Sequence, residues 1–135
     1  MRRFLLASVF CALAGTGTAG AATLDSLQWD YRVIAVFTAT ASAGQDAADT
    51  LEHTAGIAER DIAWFVITPD GTQSNLSTSI DRASLTALHE ADGFEAVLVG
   101  KDGGVKSRQT DELDVDAFFG EIDTMPMRQR EMREK

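Results

Sequence analysis

Phe94-Glu-Ala-Val-Leu-Val-Gly100 runs into Lys101-Asp102-Gly103-Gly104 and leaves through Val105-Lys-Ser-Arg108. The first run is apolar and too short for a helix. The Asp-Gly pair supplies the positive φ of a tight turn, and an alternating segment follows, so the stretch predicts a β-hairpin. Upstream, Gly93 stands where a helix C-cap belongs, behind a helix expected from Arg82 to about Ala91 with Asp81 as N-cap and Leu85 and Leu88 inward. Downstream, Asp114 opens a last helix to about Met125 that buries Val115, Phe118, Phe119 and Ile122, and Pro126 interrupts it.

Further upstream lie two apolar, β-branched runs without polar alternation, Arg32–Thr38 and Ile62–Thr68. Strands covered on both faces read this way. Between them, Thr38–Gly44 reads as a loop of small residues. Asp46 then caps a helix from Ala47 to about Arg60, whose apolar stripe is Ala47, Leu51, Ala55 and Ala58. Gly56 weakens that helix by about 1 kcal/mol relative to Ala. Pro69-Asp70-Gly71 ends the second strand, and Thr72–Ser79 reads as a loop crossing the sheet. The order is β-α-β-α-β-β-α. Right-handed crossovers make the first strands parallel and the closing hairpin antiparallel. The predicted fold is therefore α/β, a mixed four-stranded sheet in a three-layer sandwich of the thioredoxin-like arrangement.

The chain has 135 residues and begins as an export signal: Arg2 and Arg3, an apolar run from Phe4 to Ala14, then a small-residue zone at Ala19–Ala22. Cleavage is expected after Ala21 or Ala22, which divides the chain into a signal at 1–22, the domain at 23–126 and a charged extension at 127–135. The apolar run is too short to span a bilayer, so no transmembrane anchor is expected after removal. The expected location is secreted or periplasmic. Cys11, the only cysteine, lies in the signal, so the mature chain lacks a thiol, and thiol-disulfide and thiol-peroxidase chemistry are excluded for it. Removing Arg2 and Arg3 leaves ten basic against twenty-one acidic residues, a net charge of −11. Such a domain repels phosphate backbones, and no nucleic-acid partner is expected. The residues from Pro126 onward are basic against this acidic body.

Four stretches are similar to one family: Leu27–Phe37, Ala58–Ile62, Val97–Lys106 and Ile122–Arg128. Together they resemble the thioredoxin-like, secreted domain of unknown function called DUDES, with Gly100–Lys106 and Met125–Arg128 as the most specific parts. The resemblance covers the mature chain and implies a peroxiredoxin-related fold and an exported location. It carries no catalytic residues with it.

The loop after the first strand is where thioredoxin-type chemistry sits, because a helix start lowers a thiol pKa and holds anions. Here it offers only Thr38, Thr40 and Ser42, hydroxyls that stay protonated without a neighbouring base. Arg60 joins them as a ligand-binding candidate, since its guanidinium fork suits carboxylates. Lys101, Arg128, Arg130 and Arg133 are candidates for contact with a partner. His53 and His89 lie on different predicted helices, and the methionines near Pro126 suit packing, so no metal and no cofactor are expected. The resulting expectation is a binding module for an unknown protein or small ligand. The alternative is a non-thiol enzyme of peroxiredoxin-like ancestry that uses the first-strand loop with Arg60.

Overall fold

The computed structural model describes residues 22–134. In chain order they form a 3-10 turn at Leu24–Leu27, β1 (Arg32–Phe37), α1 (Ala41–His53), β2 (Ile62–Thr68), β3 (Gly71–Ser74) and α2 (Arg82–Thr86). Then come β4 (Glu95–Val99), β5 (Val105–Gln109), α3 (Val115–Ile122) and α4 (Pro126–Arg133). The expected signal lies outside the described residues, apart from Ala22.

β1, β2 and β4 are buried at every position. β1 pairs in parallel with β2, Arg32 opposite Ile62 through Phe37 opposite Ile67. It pairs antiparallel with β4, and β5 completes the hairpin predicted from Phe94–Arg108. Because successive side chains alternate between faces, Ile34 and Val36 pack with α1 and α3, through Ala48, Leu51, Phe118 and Ile122. Val33, Ala35 and Phe37 face Leu27 and the α2 residue Leu85. The sheet thus has cover on both sides, as its unbroken apolar runs require.

The sheet has five strands, ordered β3-β2-β1-β4-β5, where the sequence predicts four. The added strand is β3, which pairs Gly71 with Thr68 through Ser74 with Phe65. Gly-Thr-Gln-Ser carries no hydrophobic pattern; it becomes a strand because the outer edge of β2 needs hydrogen-bond partners. Where β3 stops, Asn75 takes over. Its Oδ1 accepts from the Trp64 N–H at 2.9 Å, and its Nδ2 donates to the Ile62 carbonyl at 2.9 Å.

Helix boundaries also differ from expectation. α1 begins at Ala41, and Thr40 is its N-cap, with Oγ1 accepting from the Ala43 N–H at 3.1 Å. Most of the expected loop Thr38–Gly44 is therefore helix. Its small residues conceal this by giving no apolar stripe, yet they let the helix lie close to β2, where Gly44 is buried beside Thr68 and Val66. α1 ends at His53 rather than Arg60, and Gly56 sits in the following turn at φ 98°. α2 is one short turn, and Asp81 precedes it without a side-chain cap. The backbone beyond it is held instead by Glu95, which accepts from the Glu90 and Ala91 N–H groups. Asp114 does cap α3, through the Ala117 N–H at 3.1 Å. Pro126 is the first residue of α4, where its missing N–H costs nothing.

Candidate binding site

Arg32 opens β1 at the end of the sheet where β2 also begins, and it is 1% exposed. A buried guanidinium is tolerable only if carboxylates and carbonyls satisfy it. Glu131 of α4 does so in a forked pair, with Nη1–Oε1 at 3.2 Å and Nη2–Oε2 at 3.3 Å, and the Arg60 carbonyl accepts a further bond at 2.9 Å. Glu131 also accepts from Lys101, whose Nζ lies 2.8 Å from Oε2 and 2.9 Å from Asp61 Oδ2. Arg128, likewise 1% exposed, bonds Glu59 at 2.7 Å and Asp123 at 3.1 Å. Arg60 pairs with Asp123 through two bonds and lies over the Phe119 ring at 4.1 Å. Lys106 and Asp102 complete the cluster at 2.9 Å.

Lys101, Glu131 and Asp123 are held in their charged forms by their partners. Burial opposes the charge on Lys101, yet Glu131 and Asp61 outweigh it and raise its pKa. Burial pushes Glu131 up, but Lys101 and Arg32 prevail and hold it below the usual carboxylate range. Asp123 is held low chiefly by Arg60, against some desolvation, with Arg128 adding to the effect.

Beside this cluster lies a cavity of about 330 Å³. Trp29, Met125, Pro126 and Met127 form its apolar wall, and Arg32, Lys101, Lys106 and Asp102 supply its polar groups. Apolar walls with a few convergent polar groups are the usual make-up of a small-ligand site. A larger depression of about 670 Å³ runs between the turn after α1 and Gln73–Asn75, but Glu52 is the only ionisable group lining it. Trp29 marks the smaller cavity. It is 59% exposed and holds φ 75°, a left-handed conformation that a tryptophan seldom takes. Its backbone N–H donates to the Lys101 carbonyl at 2.6 Å, while the Gln28 side chain reaches the Asp102 carbonyl at 2.8 Å. The hairpin turn thus fixes the backbone that carries the indole.

The residues singled out in the sequence separate into three places. Lys101, Arg60 and Arg128 join the cluster, with their charges taken up inside the domain rather than presented to a partner. Arg130 and Arg133 are exposed on α4. Thr38, Thr40 and Ser42 sit at the opposite end of the sheet, roughly 20 Å along β1 from Arg32. There Thr38 donates to the Thr40 carbonyl at 3.0 Å, Thr40 caps α1 and Ser42 lies within it. Arg60 and the first-strand loop therefore form no common site, and the enzymatic alternative loses the constellation it required. His53 and His89 each contact a nearby carbonyl, those of Asp49 and Gly93, and His89 stacks on Phe37.

Trp29, Arg32, Asp61, Asp123 and Glu131 were not anticipated. An arginine heading an otherwise apolar strand is the signal that Arg32 offered. The four stretches carrying the family resemblance supply most of the cluster: Trp29 and Arg32, Glu59 to Asp61, Lys101 to Lys106, and Asp123 to Arg128. They are far apart in the chain and meet at one end of the sheet. One family model, described as Domain of unknown function (DUF4174), matches residues 23–131 and so includes α4 through Glu131. No curated protein matches the chain.

Proposed function

We propose, for a chain that belongs to the DUF4174 family of domains of unknown function, that it is an exported, thioredoxin-like binding module whose ligand site is the cavity beside Trp29. The strand order β2-β1-β4-β5 supports the thioredoxin-like reading, with β3 as an added edge strand. The leader sequence supports export. Ala22 bonds Ser79 and Asp81 through its backbone, so cleavage after Ala21 leaves these contacts in place. With Cys11 removed, the domain recognises rather than exchanges electrons. No helix among the described residues is long and apolar enough to cross a membrane.

Trp29 carries the reading. Folding alone gives little reason to hold a large aromatic side chain in solvent on a left-handed backbone, and such outliers cluster where ligands are held. The test is equilibrium dialysis of the protein against small molecules extracted from its own cell envelope, with mass spectrometry of what is retained. A species retained by the wild type and lost with Trp29→Ala is expected. Identical retention by both proteins would move the site elsewhere. The intact mass of envelope-purified protein tests export, since an uncleaved chain contradicts it.

A further inference from the structure

We propose that the cavity takes a small organic monoanion, a carboxylate with an aliphatic or aromatic body, its head between Lys106 and the first turn of α4 and its body along Trp29 and Met127. The inference rests on the site assigned above and adds the ligand class. Four observations converge on it.

Of the three cations in the cavity lining, Arg32 and Lys101 are taken up from behind, and Lys106, paired with Asp102 alone, is the one left to meet a ligand. Asp61 and Glu131, which pair the two deeper cations, are not part of the lining. Second, α4 starts at the cavity without a side-chain cap, and Pro126 occupies its first position. The amides of such a first turn are directed at an incoming anion. Third, Arg32 lines the cavity while its Nε, shielded from solvent, has no hydrogen-bond partner among the described residues. Fourth, the Lys106–Asp102 pair is the exposed one, with the lysine side chain 32% exposed. An exposed pair is worth about 0–1 kcal/mol, so Lys106 exchanges partners at little cost. Lys101, bound to two carboxylates in the interior, does not.

One negative charge is the fitting number. A monoanion takes the place of Asp102 at Lys106 and leaves Asp102 to solvent and the Gly104 N–H, whereas a dianion adds a second unpaired charge beside that carboxylate. The wall of Trp29, Met125, Pro126 and Met127 asks for an apolar body, so a bare inorganic anion leaves it unfilled.

The purified protein is titrated with octanoate, octanamide and inorganic phosphate, followed by calorimetry and by tryptophan fluorescence, in which Trp29 is exposed and Trp64 is in the core. Saturable octanoate binding is expected, with octanamide about tenfold weaker, as for loss of a charge-assisted hydrogen bond. Lys106→Met should weaken octanoate by a similar factor and leave octanamide unaffected, with an unchanged thermal midpoint showing that the fold is intact. Octanamide binding as well as octanoate overturns the anion assignment and leaves the site standing. Phosphate matching octanoate overturns the apolar body. Saturable binding by none of the three removes both the ligand class and the site.

Discussion

Where β1 gives way to α1, the chain is closed by short local bonds from neutral hydroxyls: Thr40 to Ala43, and Thr38 to Thr40. Where β1 begins, five cations and five carboxylates from all parts of the chain tie β1, β2, the hairpin turn and α4 together. The first end is a capped helix start that needs nothing further. The second keeps an exposed tryptophan, an uncapped helix start and a buried donor without a partner among the described residues. The polar groups left over are at the second end.

Acid should act most strongly on this contrast, because it discharges several anchors together. Glu131 and Asp123 are held below their ordinary pKa, so their contribution is complete above about pH 4 to 5 and is lost as pH falls through the lowered folded values. Glu95 follows the same rule: burial pushes it up, but the Ala91 and Glu90 amides and Arg108 hold it low. Lys101 behaves oppositely. Its raised pKa gives stability that is complete below about pH 10 and lost only as pH climbs through the folded value. Urea unfolding across pH should show a plateau bounded on both sides; stability that keeps rising below pH 4 breaks the account.

Glu131→Ala comes next, since it leaves Arg32 and Lys101 without their shared carboxylate. A loss of about 3 kcal/mol is expected by chemical denaturation, and a loss under 1 kcal/mol means the network does not hold α4 in place. At the other end, Thr40→Ala removes one cap and should cost about 1 kcal/mol. If the two substitutions cost the same, the ends are not built differently. Trp29→Gly sharpens the comparison by sign: it relieves a left-handed residue, so the melting temperature should hold or rise, by up to about 1 kcal/mol in stability. A clear fall makes the indole part of the fold. Arg130→Ala and Arg133→Ala, on the exposed side of α4, should stay within about 0.5 kcal/mol.

Arg60 and Lys101 were visible in the chain as isolated basic residues, one suited to a ligand carboxylate and the other to a partner. The carboxylate that Arg60 meets is instead Asp123, at the end of a distant helix. Lys101 is buried, because the turn that carries it folds beneath α4 rather than into solvent. β3 escaped notice for a related reason: its partner, the free edge of β2, exists only once the sheet has formed.

Local chemistry alone determined the central strands, the Asp102-Gly103 hairpin and the Asp114 cap. Each depends on residues within a few positions of one another, through side-chain alternation, turn geometry or composition. The fifth strand, the start of α1 and the meeting of Trp29, Arg32, Lys101 and Glu131 at one cavity were decided only by the tertiary structure. Charges so distant in the chain have no periodicity to announce them; burial, which makes an unpaired cation costly, selected their partners once the sheet and α4 had brought them within reach.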